Sequence, residues 1–539
     1  MGDSMCPRCG RFCTSEPTDM FDVTVTPGTR HYTLLNTNEP PDDSDIAFIH
    51  STISKSSARI ASIDNQITKL RETVKQLEDE RVSLVSFRTR NQQILSPFRR
   101  IPSEVLGEIF SWTLPSMGDA LSVDTFNITR SPWLLTHVSS RWRAVSLSIP
   151  SLWSRIIIDY SEDIIEDEED EDILSGPTNY PLNLAKTLVQ RAQKLKIHFY
   201  GCLGTESSRQ IQMLEFLLQH SSRWEELSLG ITLTLLPLVA AFRGQFSSLQ
   251  RLWIQWEDGL SALEPIVPSI DCFQSASSLL DFGFQHYIPL PVPIQQLTRY
   301  HAEGFWEEQM GVLKLALNLR EVRIDIAPEE IPLPFSDEIV DLPQLRRLYV
   351  TYAGALYNLK ASSLEGLGLD VAQHTRLDIL PVESFIARSA CPLRRLSLTG
   401  YPNALSTREL LQRFPFITEL VLAIDEPDAR HQIDCFMSLI ISPGPGRSMI
   451  APQLQCMVFA CEDDSDIDYE LCLTMLQSRC REAQCSLKTV ALFTERTGPN
   501  SATFEGLQAL RRDGLDLLLV KGAAARQEVK YWYYATSWN

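Results

Sequence analysis

Twelve times between residues 224 and 520 one short phrase recurs: an apolar residue, two variable positions, an apolar residue, one variable position and a third apolar residue. It reads WEELSL at 224, LQRLWI at 249, LLDFGF at 279, LTRYHA at 297, LREVRI at 319, LRRLYV at 345, LEGLGL at 364, LRRLSL at 393, ITELVL at 417, LQCMVF at 454, LKTVAL at 487 and LDLLLV at 515. The copies stand 18 to 37 residues apart, about 26 on average. A unit this short cannot bury its own apolar positions, so it must stack on its neighbours. Each phrase is then a short strand that turns its apolar residues to a shared core, and the segment after it returns to start the next.

Spacing and phrase fall within the range of leucine-rich repeats, so residues 186 to 539 are expected to form a solenoid of strands and returns. The uneven spacing predicts a distorted one. So does the absence of the Asn or Cys that usually follows the last Leu, since Thr232, Glu257, Ala353, Ala372 and Asp425 stand there instead. Amphipathic runs such as STRELLQRF (406 to 414) and YELCLTMLQSRCREA (469 to 483) read as return helices. In a strand the third and fifth positions project to the other, concave face. Between 249 and 398 they carry Arg251, Trp253, Arg299, His301, Arg323, Arg347, Tyr349 and Arg395. This is the candidate target-binding set. Arginine forks with aromatic anchors suit an acidic or phosphorylated segment, although Arg and aromatics also simply suit exposed strand positions.

A second pattern occupies residues 46 to 94. Ile46, Ile49, Ile53, Ile60, Ile63, Ile67, Leu70, Val74, Leu77 and Leu84 follow alternating three- and four-residue steps, interrupted at Ser56 and Arg81. Such heptads predict a coiled-coil helix. A lone helix of this kind leaves its stripe in water, so a partner helix is implied: a homodimer first, another protein or the same chain second. Pro97 favours the end of the helix.

A dense apolar helix follows. Val105, Leu106, Ile109 and Phe110 lie on one expected face, and after a polar insertion come Trp133, Leu134, Leu135, Val138, Trp142, Val145, Leu147 and Trp153. Three tryptophans are more than a small three-helix unit is expected to bury, which points to a protein partner. The ordered set Pro97, Ile101, Pro102, Ser103, Glu104, Val105, Leu106, Ile109, Phe110, Val138, Ser139, Trp142, Arg143, Pro150, Leu152 and Trp153 resembles an F-box. The order of coiled coil, F-box-like unit and leucine-rich tail is similar to F-box-domain proteins of mushroom-forming fungi. Ser139 replaces a frequent Cys, and residues 115 to 131 lengthen the loop after the first helix. The resemblance implies a small all-α unit over 95 to 158 that docks on a Skp-type adaptor of a cullin ubiquitin ligase. Its implied adaptor-binding residues are Pro97, Ile101, Pro102, Glu104, Val105, Leu106, Ile109, Phe110, Trp133, Leu134, Val138, Trp142 and Trp153.

The fold class expected for the whole chain is therefore α/β: an N-terminal coiled-coil helix, a small all-α F-box-like unit and an irregular leucine-rich-repeat solenoid. Residues 1 to 45 read as a disordered tail, with 31 to 45 as linker. Cys6, Cys9 and Cys13, with His31 at a distance, form a single knuckle that is weak evidence for zinc. Residues 159 to 185 read as an acidic linker, with nine carboxylates between 162 and 172. The remaining cysteines read as reduced thiols, and the five from Cys456 to Cys485 as small apolar core residues.

A net charge of -19 argues against nucleic acid or an anionic membrane as partner. No secretory signal or membrane span is evident, which places the chain in the cytoplasm or nucleus. There is no phosphate-cradling GxxxxGK[ST], no HExxH and no GxSxG, and histidines are scattered, so no catalytic residue, metal or cofactor is assigned. The expected role is that of a substrate-recruiting adaptor of a Skp-cullin-F-box ubiquitin ligase. The alternative is a dimeric scaffold of coiled coil and repeats without ubiquitin transfer.

Overall fold

The computed structural model describes residues 21–114, 125–160, 180–202, 207–232, 234–242, 244–256, 271–285, 290–327, 331–333, 336–371, 379–424, 430–441, 449–461, 467–481, 486–494, 498–522 and 525. The chain is mixed α/β, with a long N-terminal helix and a long parallel sheet. It divides into two compact units, Met1–Pro102 and Ser103–Asn539.

In the first unit, α1 (Arg30–Asn36) precedes the 52-residue α2 (Asp43–Ile94). The helix α2 starts on a capping box in which Asp42 and Asp45 satisfy each other's backbone amides, and it stops at Leu95, before Pro97. The linker expected over 31 to 45 is instead partly helical. Thr29 caps α1, Arg30 pairs with Glu39 and Asp45, and His31 packs edge-on against Phe48 at 5.4 Å. These are contacts between segments, which a local reading of Pro-Pro and acidic residues does not anticipate. The heptad residues Ile53, Ile60, Leu70 and Leu77 are exposed. Among the described residues, no helix is long and apolar enough to cross a membrane.

The second unit opens with α3 (Ser103–Ser111), then the short helices Leu135–Val138 and Ser140–Leu147. After these comes the sheet. Its strands are β1 (Arg155–Asp159), β2 (Leu195–Tyr200), β3 (Trp224–Ile231), β4 (Arg251–Trp256), β5 (Asp281–Gln285), β6 (Arg299–Gly304) and β7 (Glu321–Ile326). They continue through β8 (Val340–Asp341), β9 (Arg347–Val350), β10 (Leu359–Lys360), β11 (Gly366–Val371), β12 (Arg395–Gly400) and β13 (Glu419–Ile424). The last are β14 (Cys456–Cys461), β15 (Thr489–Thr494) and β16 (Asp516–Lys521). Among the described residues, fourteen of these pair in strict chain order, all parallel, while β8 and β10 form a separate parallel pair.

All twelve phrases lie on strands of this sheet. In all but the last, their second and third apolar positions, such as Leu252 and Ile254 or Leu396 and Leu398, are buried on the side that carries the helices. Phe459 of β14 meets Phe436 of the helix Arg430–Ile440, and Tyr300 of β6 donates to Gln309 of the helix Trp306–Leu315 at 2.6 Å. The two runs expected as return helices form Ala404–Arg413, capped by Asn403, and Tyr469–Cys480, capped by Asp468.

Three readings need correction. The sheet begins at Arg155, inside the segment assigned to the F-box-like unit, because Trp153, Ile156 and Ile158 already form one copy of the phrase. β2 escaped notice because its copy is one residue short: Leu195 aligns with Trp224, and a bulge before Lys196 restores the register. In β16 the phrase was framed one residue late. Thr489 aligns with Asp516, so Leu517 is buried and Leu518 is exposed; a run of Leu-Leu-Leu-Val has no alternation to fix the register.

The cysteines also divide. Cys461 and Cys472 are buried as expected, and burial pushes the Cys472 thiol up to about 12. Cys480 is exposed, however, on the outer side of its helix, and Cys485 lies outside the described residues. Cys6, Cys9, Cys13 and the carboxylate run 162 to 172 also lie outside them. Among the described residues no cluster of His, Cys, Asp or Glu could hold a metal ion.

Candidate protein-docking faces

Two places in the second unit hold the residues singled out above. The first is the helical cluster ahead of β1. The four apolar residues of α3 do not share a face: Leu106 and Phe110 are wholly buried, while Val105 is 49% and Ile109 37% exposed. Phe110 packs on Trp142 at 4.9 Å, and Gly107 lets Ile149 approach so closely that a Cβ would lie 2.5 Å from its tip. Consecutive residues on a helix point about 100° apart, so only one side of a three-turn apolar face can reach the core.

The tryptophans are mostly interior. Trp153 donates its indole N–H to the Ser146 carbonyl at 2.8 Å, Trp133 donates to the Thr125 carbonyl at 3.1 Å, and their rings meet edge to face at 5.2 Å. The guanidinium of Arg191, from the helix Leu182–Arg191, lies 4.3 Å from the Trp153 ring centre and 5.3 Å from that of Trp133. The surplus of tryptophan that suggested a partner is thus taken up by the chain's own next helix. Glu104, Leu134 and Val138 are exposed and Trp142 is half-buried. Trp112, which the sequence reading passed over, is 85% exposed. In the first unit Pro97 and Pro102 are exposed and Ile101 is half-buried.

The second place is the sheet face opposite the helices. The third positions of successive phrases stand in register across it: Lys196, Glu226, Arg251, Asp281, Arg299, Glu321 and Arg347. Their signs alternate, and each carboxylate bridges the cations on both sides. Glu226 meets Lys196 at 3.5 Å and Arg251 at 3.6 Å; Asp281 meets Arg251 at 3.1 Å and Arg299 at 3.4 Å; Glu321 meets Arg299 at 2.5 Å and Arg347 at 2.9 Å. Farther along, Arg395 pairs with Glu419 at 3.0 Å. Burial pushes the Glu226 carboxyl up, but the His198 hydrogen bond and the charges of His198, Lys196 and Arg251 outweigh it and hold it at about 2.

The fifth-position row is aromatic where glycine makes room. The Trp253 ring lies over Gly283 and the Tyr349 ring over Gly368, so close that a Cβ would fall 2.6 Å and 2.8 Å from them. His301 sits beside Trp253 at 4.9 Å between ring centres and shares Asp325, at 2.9 Å, with Arg323 at 3.0 Å. Burial lowers the His301 pKa and the Asp325 hydrogen bond opposes this. Arg323 in turn lies 5.2 Å from the Tyr349 ring centre.

All eight residues of the expected target-binding set therefore belong to one face. The five arginines already engage carboxylates of the same sheet, and Trp253 and Tyr349 lie flat and mostly covered. Toward the C-terminal strands the face turns apolar: Val421, Val458, Ala491 and Phe493 are buried in one cluster with Ala525.

No known family model and no curated protein matches this chain.

Proposed function

We propose that the chain is a substrate-recruiting adaptor of a Skp-cullin-F-box ubiquitin ligase in the cytoplasm or nucleus, with the sheet and its helices forming an irregular leucine-rich-repeat solenoid. The observation that carries the reading is the divided α3. Leu106 and Phe110 hold the helical cluster together, while Val105 and Ile109 offer apolar surface beside the F-box-like order of residues, on a unit that runs straight into the long sheet. The adaptor would contribute proximity, raising the effective concentration of a target lysine without doing chemistry itself. Co-purification of a Skp-type adaptor with the full chain tests this, and its failure under conditions where the chain is folded removes the ubiquitin reading.

The exposed heptads favour a second reading, a dimeric scaffold, and are compatible with the first. The full chain is expected to sediment as a dimer, and Ile63→Glu with Leu70→Glu to convert it to a monomer, since like charges replace seam knobs on both helices. A monomeric wild-type chain would leave the stripe to another protein.

A further inference from the structure

The return between β5 and β6 is a tight one: the phrase copies at 279 and 297 stand only 18 residues apart. It contains LPVPIQQ, residues 290 to 296, in which Pro291 and Pro293 lack the amide donors an α-helix needs. The segment forms just one 3-10 turn, Ile294–Gln296, whereas the next return carries the helix Trp306–Leu315. A helix with its side chains is about 10–12 Å across, a width that irregular chain does not fill. Between the proline segment and the helix lies a cavity of about 270 Å³.

Its floor is aromatic. Phe282 and Phe284 of β5 and Tyr300 of β6 line it, each at most 4% exposed, with ring centres 5.7 to 6.2 Å apart. Leu290, Pro291, Ile294 and Val312 line it as well and are only half-buried, so the opening lies among them. One polar group stands out in this apolar lining. Gln309 is wholly buried, and its Oε1 accepts from the Tyr300 hydroxyl at 2.6 Å, which fixes the amide. Its Nε2 is buried and has no hydrogen-bond partner. An amide donor withdrawn from water and left unpaired is costly, and an acceptor that enters the cavity relieves it. The Glu308 carboxyl group in the same lining and the net charge of -19 both disfavour an anion as that acceptor.

We propose that this cavity binds a small neutral aromatic compound whose carbonyl oxygen accepts from Gln309 Nε2 while its ring lies on Phe282, Phe284 and Tyr300. Mostly apolar walls with one fixed polar group are the usual composition of a small-molecule site: the walls supply affinity and the donor supplies orientation. The size agrees, because a cavity of about 150 Å³ holds benzene, and this one admits a ring with a short substituent. The site goes beyond the adaptor reading and stands whether or not an adaptor is captured.

The test uses the full chain, calorimetric titration and three probes of nearly equal size: acetophenone, isopropylbenzene and benzoate. Acetophenone is expected to bind and to raise the melting temperature. Isopropylbenzene, which lacks the acceptor, should bind about fivefold or more weakly, and benzoate more weakly than acetophenone. Val312→Trp, at the half-buried edge, should fill the cavity and abolish acetophenone binding. Gln309→Met keeps the volume and removes the donor, so it should erase the preference for acetophenone over isopropylbenzene. A general loss of stability from the unpaired Tyr300 hydroxyl affects both probes alike and leaves that ratio unmoved, so the ratio decides even if Val312→Trp does not fold. A wild type that binds no probe overturns the proposal. So does one that prefers benzoate, a folded Val312→Trp that binds acetophenone as wild type does, or a Gln309→Met with the wild-type ratio.

Discussion

Arg479→Met is expected to destabilise the second unit by about 3 to 5 kcal/mol in chemical unfolding. Arg479 lies on the helix Tyr469–Cys480 and is wholly buried. Its Nη1 donates to the carbonyls of Ile440 at 3.2 Å and Ile450 at 3.1 Å, and its Nη2 to that of Ala451 at 2.8 Å. Ile440 ends the helix Arg430–Ile440, whose last carbonyls have no partner within the helix, and Ala451 has a left-handed φ of 46° just before β14. One guanidinium thus fastens a helix end to the entry of the next strand. Replacing a buried charge with hydrocarbon is often harmless when its partners are replaced as well. Here the partners are main-chain carbonyls, which no side-chain substitution removes. Arg479→Lys should fall between, because one ammonium cannot span all three. A Met variant as stable as wild type would show that the carbonyls find other donors.

The long parallel sheet was legible because its signal is a repetition. Each copy of the phrase is weak, but a strand buried on its helix side must spend the same apolar positions every time, and twelve copies fix both strand and face. Legibility failed where the local pattern lost its period. The one-residue deficit before Ile197 hid β2, and the unbroken Leu517, Leu518, Leu519 run left two registers equally good. The helix α1 was missed for another reason: Arg30 and His31 are fixed by Asp45 and Phe48, partners that propensity does not see.

The candidate site was legible in its residues and not in its electrostatics. The arginines of the third positions do share one sheet face, but the carboxylates of the intervening strands become their partners only once the register is known. The ladder is a property of neighbours about 5 Å apart across the sheet and 18 to 30 residues apart in the chain.

The same distinction between a face and its interior decides what substitutions in α3 will do. Val105→Asp and Ile109→Asp are each expected to lower capture of a Skp-type adaptor by about 30-fold or more, the loss of about 2 kcal/mol typical of an interface anchor, with the melting temperature nearly unchanged. Both side chains are exposed, so a carboxylate there stays hydrated until a partner covers it. Leu106→Asp should also lose capture, but through its effect on the fold. A carboxylate at a wholly buried position, one helical turn from Phe110 and beside the Gly107–Ile149 contact, costs several kcal/mol, and the helical cluster should melt early. Pull-down alone cannot separate these variants, whereas pull-down with a thermal scan can. If Val105→Asp and Ile109→Asp capture the adaptor as wild type does, the exposed side of α3 is not the docking face. If Leu106→Asp loses capture at an unchanged melting temperature, then Leu106 reaches the partner, and the inward placement that separates it from Val105 is wrong.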